Sequence, residues 1–360
     1  MVETTRRAAL GALAAGLAAP ALAQGVRNIR LVSTFPLQLG GLGDSVSRTA
    51  KAITELSGGR LNVTLYPPGA LVGPFDVHDA VGEGDAEMYF SAEYYYQKKS
   101  RAFAFFSTVP MGLTIMEQAT WVQRGGGQAL WDELAAGFGV KPFANGGTGP
   151  QTGGWFKNEI KTIEDFRGIS MRIPGLGGEV VERFGAKAVL LPGGKIVSAF
   201  KAGEIDAMEW VGPWNDLHFG FQKLMQTFLF PGFHEPGTTT SVGLNLALWN
   251  DLSPQDKALI TSVTENERLL QTASYHANNS YSLRRLATEY GTTPSEMPTE
   301  VFDGLAKVAE EVVAEVANDS ELAGRIYQSY AEFRKSVAGG VAARELAAFI
   351  AQRSESSSVL

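Results

Sequence analysis

The sequence predicts an α/β fold in two domains, each built on its own sheet, hinged together and spanned by one long helix. Its 360 residues exceed one ordinary core, since about 150 residues make a domain. Residues 28–66 read strand, helix, strand, the succession that lays parallel strands side by side. From Ser253-Pro254, a cap followed by a first-turn proline, nothing breaks a helix before residue 290. At 1.5 Å per residue that is a rod of roughly 50 Å, longer than one small domain, so it lies across both.

In chain order, residues 28–35 alternate polar and apolar positions as a strand, and Pro36 ends it. A helix over 44–56 stops at Gly58-Gly59, and residues 61–66 form the second strand. Gly40-Gly41-Leu42-Gly43 lies where a dinucleotide fingerprint would, but Val46 occupies the third glycine position and no acidic residue follows the second strand, so a flexible turn near a ligand is favoured over a nucleotide site. After a short helix over 75–82, the strand 86–90 runs into Glu93-Tyr94-Tyr95-Tyr96, whose tyrosines cannot all face one way in an extended chain. Residues 115–138 are helical around Gly125-Gly126-Gly127, and 140–144 begin a crossing toward the second domain. There, 169–173 is a strand with Ile169, Met171 and Ile173 on its buried face and Ser170 and Arg172 on the other, which sets Arg172 near the strand's C-terminal end, where open α/β sheets bind ligands. Helices over 178–184 and 195–201 alternate with strands over 188–190 and 205–210, and the chain returns through 228–232 and 241–248. Domain I is thus expected over 24–147 plus 217–255 and domain II over 148–216. The bridging helix, 253–290, carries one apolar stripe of Leu259, Val263, Leu270, Ala273, Ala277 and Tyr281. Helices over 298–353 then cover the sheets or pair with a second copy of the chain, and periodicity leaves both open.

Composition narrows the function. A formal charge of −7 and a pI near 5.3 give no basic footprint, so no nucleic-acid partner is expected. There is no cysteine, which excludes disulfides, thiolate metal sites and cysteine nucleophiles. At the N-terminus, Arg6-Arg7 precedes an apolar run and an Ala21-Leu22-Ala23 ending, the pattern of a twin-arginine-like export signal over 1–23 and of a periplasmic protein. The apolar run falls short of the roughly 20 residues a membrane span requires.

The stretch from Gln151-Thr152-Gly153-Gly154-Trp155-Phe156 through Arg172 to Gly203-Glu204-Ile205-Asp206-Ala207-Met208-Glu209-Trp210-Val211-Gly212-Pro213 concentrates an amide, an arginine, a carboxylate beside an indole, and glycines that admit close backbone approach. With Thr34-Phe35-Pro36 and the segment from Thr162 through Asp165 and Gly168 to Arg172, it resembles the substrate-binding subunits of tripartite ATP-independent periplasmic (TRAP) transporters, over essentially the whole mature length. Within that family it is similar to the branch that binds 2-oxo and 2-hydroxy monocarboxylates, such as pyruvate or lactate, with a metal ion. The resemblance implies a periplasmic binding-protein clamp with a mixed sheet in each domain that closes on its ligand and then docks to membrane subunits. It makes Arg172 the carboxylate-binding arginine and sets Gln151, Glu209, Trp210 and Glu235 around the ion, Trp210 through its backbone carbonyl. Phe35, Tyr94, Tyr95 and Tyr96 match cleft-wall positions. Where the family carries an asparagine this chain has Gly147, and Asn145, two positions earlier, stands among the expected ligand contacts. His234-Glu235-Pro236 departs from the aromatic and glycine residues usual there.

The chemistry agrees with these roles. A guanidinium matches a carboxylate with two parallel hydrogen bonds and stays charged. Two carboxylates, an amide oxygen and a carbonyl suit Na+ or Ca2+ rather than zinc, and two buried carboxylates without a cation are costly. A C4-dicarboxylate or an aromatic acid remains an alternative ligand, since one arginine fixes one carboxylate. A hydrolase using Glu209 or Glu235 as general base is the alternative from another class, although His78, His218, His234 and His276 show no metal-ligand spacing and no Gly-x-Ser-x-Gly elbow exists. Sensing for a signalling partner uses the same clamp.

Overall fold

The architecture was analysed in a computed structural model, which describes residues 25–356 except 226 and 339. The export signal expected over 1–23 lies outside the described residues. Eleven strands are described: β1 (Arg27–Ser33), β2 (Leu61–Tyr66), β3 (Met88–Ser91), β4 (Val140–Gly147), β5 (Gly154–Phe156), β6 (Ser170–Arg172), β7 (Lys187–Val189), β8 (Ala207–Met208), β9 (Thr227–Phe230), β10 (Thr239–Asn245) and β11 (Ser295–Glu296). They form two sheets, one ordered β2-β1-β3-β10-β4 and the other β11-β9-β5-β8-β6-β7. Both are mixed. In the first, β1 runs parallel to β2 and β3 while β10 is antiparallel to β3 and β4. In the second, β6 is parallel to β7 and β8, and β5 is antiparallel to β8 and β9. This is the expected two-domain clamp with a mixed sheet in each lobe.

The lobes divide the chain elsewhere than at residue 216. Thr227–Phe230, placed with domain I by the sequence, joins the second sheet, where Phe228 stacks on Trp155 with ring centroids 4.1 Å apart. The chain therefore crosses between sheets at residues 148–153 and 231–238, and the two crossings are tied by Thr148 N–H donating to the Thr238 carbonyl at 3.0 Å and Gln151 N–H to that of Glu235 at 3.1 Å.

The long helix, Pro254–Tyr290, starts where its signals stand: the Ser253 hydroxyl accepts from the Asp256 N–H at 3.1 Å, and Gly291 ends it at φ 65°. It packs on β4, on helix Leu42–Leu56 and on helix Pro213–Phe219, then leads to β11 in the second sheet. The expected apolar stripe is not the buried one. Leu270 and Tyr281 are exposed, and the inward face carries Asp256, Glu267, Gln271 and Tyr275 with Ile260 and Val263. These four inward polar side chains are partnered, with only the Gln271 amide nitrogen left over: Asp256 has Arg60, Glu267 takes both ends of the Arg48 fork, the Gln271 oxygen accepts from Ser45 and Thr240, and the Tyr275 hydroxyl donates to Asn215 at 2.7 Å.

Gly41 begins helix Leu42–Leu56 at φ 83°, and a Cβ there would stand 2.6 Å from the Tyr275 ring. The glycine turn thus serves close packing against the long helix, and its Leu42 lines the cavity between the lobes. The late helices cover both lobes: Thr299–Glu315 packs on helix Gly175–Arg183 of the second, and Glu321–Ala338 on 3₁₀ helix Arg101–Phe106 and helix Gly127–Ala136 of the first. No described helix is long and apolar enough to cross a membrane.

Candidate functional site

The two crossings and the ends of β6 and β8 converge on one place. Arg172 closes β6, and Glu209 and Trp210 follow β8, its neighbour in the sheet. Parallel pairing sets their side chains at the same end of the sheet, facing the first lobe. From that lobe come Phe35, after β1, and Tyr94 and Tyr95, after β3. Between the lobes lies a cavity of about 10 Å³, lined by Phe35, Tyr94, Tyr95, Gln151 and Trp210 together with Thr148 and Thr238. That is close to the space one water needs.

Arg172 is only 1% exposed. Its Nη1 donates to the Glu209 backbone carbonyl at 2.7 Å and to the Glu209 carboxylate, its Nε donates to the Leu191 carbonyl at 3.1 Å, and its guanidinium lies 4.9 Å from the Trp210 ring centroid. Nη2 has no partner and is buried. Burial works against its charge, but Glu209, then Tyr95, Tyr94 and Glu235, raise its pKa above the ordinary value. The result is a fixed cation with one fork position open, as carboxylate capture requires.

Beside it sit Glu209, His234 and Glu235, all buried, with one donor atom from each lying within 4.8 Å of the others. His234 Nε2 is 3.3 Å from a Glu209 oxygen, and the Thr238 hydroxyl donates to Glu235. Gln151 donates to Thr148 at 3.2 Å and Thr238 at 3.1 Å, which leaves its Oε1 unpartnered, as are Trp210 Nε1 and His234 Nδ1. Burial, and then the Glu209 charge, push Glu235 up to about 7. Burial lowers the tendency of His234 to charge, but the Glu209 hydrogen bond and charge outweigh it and raise its pKa. Carboxylates crowded in low dielectric, with an unpaired amide oxygen alongside, fit a cation.

Of the residues the sequence nominated, Arg172, Gln151, Phe35, Tyr94, Tyr95, Trp210, Glu209 and Glu235 come together here. Two do not. Residues 93–96 form a 3₁₀ helix rather than an extended segment, which turns Tyr96 into the core against His78 and Phe103. Asn145 is fully buried, accepting from Thr49 at 3.0 Å and donating to Ser45 at 3.4 Å, and does not line the cavity. Sequence reasoning missed His234, Thr148 and Thr238. His234 stood next to a nominated glutamate, but the threonines are 90 residues apart and only the paired crossings join them.

Comparison with known proteins agrees with this geometry. Residues 41–319 match the family described as bacterial extracellular solute-binding protein, family 7. A monocarboxylate 2-oxoacid-binding periplasmic protein of Nostoc sp. is 37% identical over 315 residues, 87% of this chain and 86% of that protein. Among solved structures, a TRAP periplasmic solute-binding protein from Pseudoalteromonas atlantica with bound sodium and pyruvate superposes with a TM-score of 0.85 at 30% identity, covering 92% of this chain and 99% of that one. Another from Colwellia psychrerythraea, with bound calcium and pyruvate, gives 0.83 at 31% identity, covering 86% and 94%. The chain belongs to the family 7 extracellular solute-binding proteins, the solute receptors of TRAP transporters.

Proposed function

We propose that this protein captures a 2-oxo or 2-hydroxy monocarboxylate such as pyruvate or lactate together with a cation, Na+ or Ca2+, in the periplasm, and delivers it to the membrane subunits of a TRAP transporter. The observation that carries the reading is the fully buried Arg172 with Nη2 unpartnered, beside the Glu209, His234 and Glu235 cluster at the meeting of the lobes. In this reading Arg172 takes the ligand carboxylate, and Glu209, Glu235 and Gln151 Oε1, with the Trp210 carbonyl, hold the ion. The ion's remaining positions accept the carboxylate and the adjacent 2-oxo or 2-hydroxy oxygen. Burial keeps the Tyr94 and Tyr95 phenols protonated, so they act as walls and neutral donors rather than as further anions. A C4-dicarboxylate is disfavoured on charge, since its second carboxylate would meet Glu209 and Glu235 without a second arginine.

The protein is then a carrier and not a catalyst. Calorimetry with pyruvate, lactate and succinate, each with and without chelator, tests this directly. Expected are stoichiometric binding of the 2-oxo acid, weakening on chelation, and loss of about tenfold to a hundredfold in affinity on Arg172→Met, the worth of a charged hydrogen bond. Unchanged affinity in Arg172→Met, or product formed on incubation, overturns the reading. A homodimer through the last helix, where Leu346 and Phe349 are 59% exposed, belongs to the same proposal, and light scattering on the mature protein checks it.

A further inference from the structure

We propose that Asp216 is a positioning residue for the ion, holding the loop after β8 so that the Glu209 carboxylate and the Trp210 carbonyl face the cation position before a cation arrives. This rests on the reading above that Na+ or Ca2+ sits beside Glu209 and Glu235, and it adds a group that touches neither ion nor ligand.

The loop runs from Glu209 to Gly212, between β8 and helix Pro213–Phe219. One end is set by the sheet, where Glu209 N–H donates to the Arg172 carbonyl at 3.1 Å. The other end lacks that support: Val211 and Gly212 are buried, and among the described residues no backbone carbonyl accepts from either N–H. Buried N–H groups need an acceptor. Asp216, 1% exposed and in the helix's first turn, stands beside them. Burial pushes its pKa up to about 7, and the Trp155 bond and the Val211 and Gly212 N–H groups work against that rise. No other group claims its Oδ1, while its own N–H donates to the Gly212 carbonyl at 2.9 Å.

The anchor is itself held. Asp216 Oδ2 accepts from Trp155 Nε1 at 2.9 Å, and Trp155 is fully buried. Trp155 pairs with Met208 across β5 and β8, and Met208 directly precedes Glu209. The loop is thus closed back onto the strand that launches it, which sets where the Glu209 side chain and the Trp210 carbonyl point. The helix does not need Asp216 to stay docked. Trp214 N–H donates to Asn279 at 3.1 Å, Asn215 donates to the Gly40 carbonyl at 2.9 Å, and Asn215 also accepts from Tyr275. Removing the Asp216 carboxylate therefore frees the loop and leaves the helix on the long helix and the first lobe.

The test uses the full mature chain, stripped of metal with a chelator. Calorimetry titrates Ca2+ and Na+, and then pyruvate at saturating ion, in the wild type, Asp216→Ala, Asp216→Asn and Tyr275→Phe. Tyr275→Phe loses a buried hydrogen bond to the same helix and controls for stability alone. Expected are ion binding weaker by about tenfold to a hundredfold in Asp216→Ala, a smaller loss in Asp216→Asn, which keeps one acceptor, and a change within about twofold in Tyr275→Phe. Pyruvate affinity at saturating ion should fall by less than about threefold, because Arg172 stands on β6 and not on the loop. Ion affinity unmoved in the Asp216 variants, an equal loss in Tyr275→Phe, or pyruvate affinity falling in step with ion affinity overturns the inference and leaves ion-assisted capture standing. If Asp216→Ala does not fold, Asp216→Asn decides by the same criteria. A wild type that takes up neither ion overturns the ion reading and this inference together.

Discussion

At the residue scale, the group proposed to capture the ligand also neutralises its neighbour. Arg172 and Glu209 are each 1% exposed and joined directly. Removing the guanidinium therefore strands a carboxylate in the interior, a loss of about 3–5 kcal/mol for a buried pair broken on one side. Arg172→Met is expected to lower the melting temperature, and Arg172→Met with Glu209→Gln to recover part of it without recovering pyruvate binding. Scanning calorimetry of the two variants separates the stability role from the binding role, and a double variant no more stable than the single contradicts the pairing. A second carboxylate lies apart from the cluster. Glu93 is fully buried, accepting from Tyr89 at 2.7 Å and Ser241 at 2.6 Å, and burial pushes it up to about 7 from an ordinary 4.5. A folded value above the unfolded one means that folding favours the protonated form. The contribution is complete below about pH 4.5 and is lost as pH rises through about 7. Between pH 5 and 8 the wild type should lose on the order of 3 kcal/mol more than Glu93→Gln, read by urea unfolding at each pH. Parallel curves for the two proteins would contradict the buried protonated state. Asp216, pushed to about 7 by burial, acts in the same direction in both proteins and cancels in the difference. Arg172 and Gln151 were legible because motifs mark them, and Glu93 was not, since nothing in a Ser-Ala-Glu-Tyr run declares that its carboxylate is sealed in.

At the element scale, the ends of the long helix were written in the sequence and its orientation was not. A serine cap, a first-turn proline and a terminal glycine act within a few residues, so Pro254–Tyr290 could be bounded without knowing its surroundings. Which face turns inward depends on partners in other elements, and here those are Arg48, Arg60, Asn215 and Thr240, all polar. A rule that buries the apolar side then chooses wrongly. The residues of the two faces answer differently to substitution. Tyr275→Phe deletes the bond to a buried Asn215 oxygen and should destabilise by about 1–3 kcal/mol. Leu270→Ser and Tyr281→Ser, at 43% and 62% exposure, should stay within about 0.5 kcal/mol. Equilibrium urea unfolding of the three variants decides, and large losses at 270 and 281 would restore the apolar stripe. The short 3₁₀ helix Glu93–Tyr96 is a similar case: alternation of three tyrosines was legible only if the segment were extended, and its tight turn sends Tyr94 and Tyr95 to the cavity but Tyr96 to the core.

At the scale of the whole molecule, the two lobes were predictable from length and element succession, while the crossing points were not. β9 is four residues with no marker of sheet membership, and only its pairing with β5 and β11 assigns it. The crossings that result carry Thr148, Gln151, His234, Glu235 and Thr238, so the crossings and the proposed binding site coincide, and in that reading filling the site acts on closure. With room for about one water between the lobes, an organic acid enters only when they part. A contact at the rim has the form of a closing latch. Arg101, on the 3₁₀ helix that follows the first sheet's β3, is anchored by both ends of its fork to Asp319 and reaches Glu179, on the helix that follows β6 of the second sheet, at 3.0 Å. Gln97 meets the same carboxylate at 3.4 Å. Both charges are partly exposed, at 25% and 31%, so the pair contributes about 0.2–1 kcal/mol to the closed form. Because Asp319 takes both ends of the Arg101 fork, Glu179→Gln leaves Arg101 paired and should remove only its contact with the second lobe. Stopped-flow measurement of pyruvate release is then expected to quicken by about twofold to fivefold with association nearly unchanged, since closure follows encounter. High salt should produce the same quickening in the wild type and little in the variant, because a screened pair has nothing left to lose. Equal release rates in the two proteins at low salt would mean that the Arg101 contact with Glu179 is an incidental surface pair, leaving closure to the cation and carboxylate at the hinge alone.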